Sequence, residues 1–170
     1  MRTLLTMIAC TALCGGLLQA QNPMSADVKQ MFDSISGNVL KAAEKMPEAE
    51  YGFQPTAEVR TFARLIGHVA DAQTSFCTAA LGDRKASQIE KTKTTKADLV
   101  QALKDSIAVC GDAYGKLTDA SAVEAVKFGN RDRTRMWVLA FNASHSNEHY
   151  GNLVTYMRIK GLVPPSSEGR

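Results

Sequence analysis

Four stretches of this chain repeat apolar residues at three- and four-residue intervals, a spacing that specifies amphipathic helices. In the first, Val28, Met31, Phe32, Ile35, Val39, Ala42, Ala43 and Met46 share a face after Ser25, a good N-cap, and Pro47 stops the pattern. In the second, Thr61 can cap a run whose Phe62, Leu65, Ile66, Val69, Ala72, Phe76 and Ala80 line one side before Gly82. The third opens at Thr95 with Asp98 three residues on, a capping-box arrangement, and continues through Leu99, Leu103, Ile107, Cys110, Tyr114 and Leu117. The fourth and longest runs from near Thr134 to Gly161, with Pro164 and Pro165 beyond it. The fold class expected is therefore all-α, a four-helix bundle. Helices of about 20 residues span about 30 Å, and a connection of about 13 residues between the second and third can reach about 43 Å. Periodicity thus permits either simple up-down order or one crossover. Residues 46–60 carry Pro47, Gly52 and Pro55 and read as an ordered loop held by Tyr51 and Phe53. Phe128-Gly129-Asn130-Arg131 reads as a turn between short extended pieces.

The first twenty residues stand apart from this pattern. Arg2, the apolar run from Leu4 to Leu18 and the Leu18-Gln19-Ala20 ending read as a secretory signal peptide, cleaved after Ala20. Residues 21–170 then form one domain in the periplasm or outside the cell, with no stable membrane insertion once the signal is removed. Lipidation at Cys10 or Cys14 is disfavoured, because neither follows a suitable hydrophobic and small-residue stretch. Cleavage removes Arg2 from the 20 basic residues and leaves 19 against 17 acidic ones. That near balance, and the absence of aromatics among Lys91, Lys93 and Lys96, argue against a nucleic-acid partner. Cys77 and Cys110 remain in the exported chain, where a disulfide persists if they meet; two separate buried thiols are the alternative.

Chemistry concentrates on the histidines, of which the chain has three: His68, His145 and His149. His145 and His149 are four apart in the last helix, so both rings can address one ion, and His68 belongs to the inward stripe of the second helix. Three nitrogen donors with an open fourth position are the pattern of a catalytic metal site. Asp71, three residues past His68, can orient an imidazole or face Arg64 or Lys85 at the surface. Asn152 can hydrogen-bond a ligand, and Tyr156 with Arg158 can hold an anionic substrate. His145-Ser146-Asn147-Glu148-His149 also fits the H-x-x-E-H spelling of zinc peptidases, but only about twenty residues follow it and they offer no convincing further ligand. No Gly-rich phosphate loop, no Gly-x-Ser-x-Gly elbow and no Cys-x-x-Cys pair is present beyond residue 20.

Two segments carry a family resemblance: Phe62-Ala63-Arg64-Leu65-Ile66-Gly67-His68, and His145-Ser146-Asn147-Glu148-His149-Tyr150-Gly151-Asn152 continuing to Tyr156-Met157-Arg158. A lone histidine in the second helix and H-x-x-x-H-x-G-Q in the fourth resemble the DinB-like (YfiT-like) metalloenzyme superfamily, over about residues 25 to 163. Asn152 stands where that pattern often has glutamine. The resemblance implies up-down-down-up order with one crossover, and a divalent ion of zinc or nickel type held by His68, His145 and His149. It further implies a metal-dependent transferase or hydrolase acting on an unidentified small molecule, since relatives include thiol-dependent S-transferases and a maleylpyruvate isomerase. A non-catalytic envelope protein that binds or senses metal is the alternative, and a homodimer is compatible with either.

Overall fold

Threonine side chains start three of the long helices. In the computed structural model, which describes residues 22–169, the hydroxyls of Thr61, Thr95 and Thr134 accept from the backbone N–H of Arg64, Asp98 and Trp137 at 3.2, 3.1 and 3.1 Å. They open α2 (Phe62–Ala80), α4 (Lys96–Gly115) and α5 (Arg135–Ile159). The first helix, α1 (Pro23–Lys45), begins differently from the expected Ser25 cap. Pro23 occupies the first turn, where a missing N–H costs nothing, and Ser25 is buried with its hydroxyl given to Asp119. The Asp119 carboxylate also accepts from the backbone N–H of Ser25 and Met24 at 2.8 and 3.3 Å, so the first orphan donors of α1 are satisfied from across the bundle. The proposed signal peptide, residues 1–20, lies outside the described residues.

Side-chain pairs fix the helix directions. Cys77 is bonded to Cys110, and Gln73 accepts from Ser106 at 2.9 Å, so α2 and α4 are parallel. Asn142 faces Cys77 and Ser146 faces Gln73, so α5 runs antiparallel to α2. The N-terminal half of α1, at Val28 and Phe32, packs with Phe76 and Cys77, whereas Val39 to Met46 pack with Phe62 and Leu65. The order is up-down-down-up, and the segment after Ala80 must travel the bundle's length. That crossover holds a short helix, α3 (Ile89–Thr92), where the periodicity suggests only a loop. A hairpin of β1 (Ala125–Phe128) and β2 (Arg131–Thr134) precedes α5, and Gly129 at φ 60° makes its two-residue turn possible.

The core has two apolar layers. One gathers Val39, Met46, Phe62, Ile66, Leu99, Leu103, Leu153 and Met157; the other gathers Phe32, Cys77, Cys110, Tyr114, Val138 and Leu139. Gln73, Ser106 and Ser146 are buried where the layers meet and hydrogen-bond one another, which removes the penalty of polar groups in that position. Among the described residues no helix is long and apolar enough to cross a membrane.

Candidate metal centre

Antiparallel packing brings the N-terminal part of α2 against the middle of α5, and the three histidines meet there. His68 and His145 are half-buried and His149 is buried, with one ligand atom from each lying within 4.8 Å of the others. The Nε2 atom of His145 is 3.3 Å from that of His68 and 3.1 Å from that of His149. Two nitrogens held about 2.1 Å from a tetrahedral ion are about 3.4 Å apart, so both pairs that include His145 have the spacing of donors to one cation. The protons argue the same way: a single proton on the central nitrogen serves two neighbours poorly, whereas one cation serves all three. Among the described residues this group contains three candidate donors and no fourth.

A hydrogen bond on its outer ring edge sets the tautomer of His68. The carboxylate of Glu90, on α3, lies 3.1 Å from Nδ1 of His68 and accepts its proton, which leaves the Nε2 lone pair aimed inward. The Asn152 amide nitrogen lies 3.4 Å from Nδ1 of His149 and faces that edge of the ring as a donor. Nδ1 of His145 is buried and meets no hydrogen-bond partner among the described residues; its ring is held by Phe76 and Phe141, with centroids at 5.5 and 6.5 Å. Burial first, then the neighbouring imidazoles and Arg60, push the His149 pKa down to about 4. Burial and His68 lower that of His145 as well. Both rings therefore stay neutral, the form that ligates. Burial opposes the charge on Glu90, but the hydrogen bond and charge of Arg60, together with His68, outweigh it and hold the carboxyl below its ordinary range.

Glu90 and Arg60 are the residues that the sequence did not point to. The nearest signal was Ile89, an apolar residue in a polar run, which packs on the core and anchors α3. Asp71 does not orient an imidazole. Its oxygens accept from the Ser87 hydroxyl at 2.6 Å and from the backbone N–H of Ile89 and Glu90 at 2.8 and 2.9 Å, so it caps α3 and acts one step away, through Glu90. Spacing suggested Asp71 because it lies near His68 in sequence, but the crossover brings a carboxylate closer. Arg158 also leaves the site, donating to Ser167 at 2.9 Å. Tyr156 donates to the Arg60 carbonyl at 2.8 Å and lines a cleft of about 540 Å³ beside the centre. Glu58, Arg60, Arg64, Glu148, His149 and Asn152 complete its polar walls.

A family model described as the DinB superfamily matches residues 31–153. Among solved structures, a DinB-like protein from Bacillus cereus ATCC 10987 is similar at 15% identity and a TM-score of 0.72, over 82% of this chain and 95% of its own. A DinB-like protein from Bacillus subtilis reaches 22% and 0.67, over 85% and 99%. A conserved protein from Enterococcus faecalis reaches 14% and 0.62, over 79% and 95%. At these identities the likeness concerns the fold. No curated protein matches the chain. With the helical order, the three histidines and a family model spanning more than half of the sequence in agreement, the chain belongs to the DinB superfamily.

Proposed function

We propose that this protein is an exported, metal-dependent transferase or hydrolase for a small molecule, with His68, His145 and His149 holding a divalent ion of zinc or nickel type. The observation that carries the reading is the convergence of three imidazole nitrogens within 4.8 Å, with an outer-edge carboxylate at His68 able to fix its tautomer. A divalent ion held there would supply Lewis-acid polarisation of an incoming oxygen or thiol. The chain's own contributions are positional. Glu90 keeps a proton on Nδ1 of His68, Asn152 supports His149, and Tyr156 ties the cleft wall to the Arg60 carbonyl. Arg60 and Arg64 line the cleft together with Glu58 and Glu148, so its wall offers groups of both charges to a polar substrate. The three-donor set supports turnover over storage, because a storage site is normally closed by a fourth protein ligand.

Cobalt substitution tests the open position. Azide or a small thiol added to the cobalt-loaded protein should change its visible absorption. A spectrum indifferent to every exogenous ligand would indicate a closed shell and favour the non-catalytic metal-binding reading.

A further inference from the structure

We infer that Glu90 is the positioning residue of the metal centre, with α3 serving as a tab that the crossover lays against α2 for that purpose; the inference rests on the metal-binding reading of the histidines. Three independent features place this one carboxylate. Its Oε1 accepts from Nε of Arg60 and from Nη2 of Arg64, each at 3.0 Å, which leaves Oε2 to face Nδ1 of His68 at 3.1 Å. The Asp71 carboxylate holds its backbone N–H, so the main chain of α3 is fixed from α2 as well as its side chain. Gly67, the residue before His68, admits the close approach: a Cβ there would lie 2.7 Å from Cα and 2.9 Å from N of Glu90. That backbone cannot yield as a flexible side chain would.

A carboxylate fixed on both oxygens and buried to 14% exposure is more than a surface ion pair. The arginines are 40% and 62% exposed and can find water, whereas the His68 Nδ1 proton has this acceptor in reach. Donation to a carboxylate both selects the Nδ1–H tautomer and raises the electron density at Nε2, the nitrogen that faces the other rings. Glu90 thereby acts on affinity through His68 without ligating.

The test uses the mature full-length protein and its E90A and E90Q variants. In metal-free samples labelled with 15N, long-range spectra read the His68 tautomer, which should be Nδ1–H in the wild type and shift towards Nε2–H in E90A. Cobalt affinity, by competition titration, should fall by about 10- to 100-fold in E90A and recover in part in E90Q, whose amide oxygen can still accept. A purely structural role would move stability but leave tautomer and affinity alone, and that result overturns the inference. If H145A abolishes cobalt binding while E90A does not weaken it, the metal reading stands and the role of Glu90 is refuted. If the wild type binds no cobalt, the metal reading fails, and an unchanged His68 tautomer in E90A would overturn the positioning role independently.

Discussion

His149 carries the clearest consequence of its surroundings. Its pKa, lowered to about 4 from an ordinary value near 6.5, means that the folded metal-free protein resists protonating a ring that the unfolded chain protonates freely. Stability contributed by the neutral ring is intact above about pH 6.5 and is lost as the pH falls towards 4, by up to about 3 kcal/mol. Denaturant titrations of the metal-free protein at pH 7 and pH 4 should show that loss, and H149Q should remove much of it. Bound metal excludes the proton from the same nitrogen, so the loaded protein should hold its stability further into acid. The three histidines were legible because imidazoles at i and i+4 on a helix share a side. Glu90 was not, since its approach to His68 depends on where a crossover comes to rest.

At the scale of elements, the contact between α2 and α3 is set by a missing side chain. G67A should push α3 outward, costing about 1–3 kcal/mol in denaturant stability and separating Glu90 from His68. Metal affinity should fall with it, by about tenfold, whereas G111A, whose Cβ meets nothing within 4 Å inside α4, should leave affinity unchanged and raise stability by up to about 1 kcal/mol. The disulfide joins the parallel pair α2 and α4 across a sequence separation of 33, so the C77S/C110S double variant should lose about 3–4 kcal/mol by chain entropy. Helix starts at Thr61, Thr95 and Thr134 were readable because a hydroxyl cap is local chemistry. The start of α1 was misplaced because Asp119, far along the chain, takes the Ser25 hydroxyl. The short α3 has too few residues to show a period, and its cap, Asp71, belongs to another helix.

For the molecule as a whole, parallel α2 and α4 require the long crossover, and the crossover delivers Glu90 to the centre. Periodicity alone left that topology open, because it reports which face is buried and not which neighbour buries it. The export reading predicts a mature protein that begins at Gln21; mass spectrometry of material recovered from the periplasm or medium should give that mass, and a full-length cytoplasmic product would refute it. The proposed chemistry requires that the histidines share an ion. Elemental analysis of tag-free protein purified from its native compartment measures this directly. The wild type should carry about one equivalent of a divalent transition metal and H145A, still folded by circular dichroism, almost none. Equal metal content in the two, or none in the wild type even after dialysis against zinc and nickel, would contradict it.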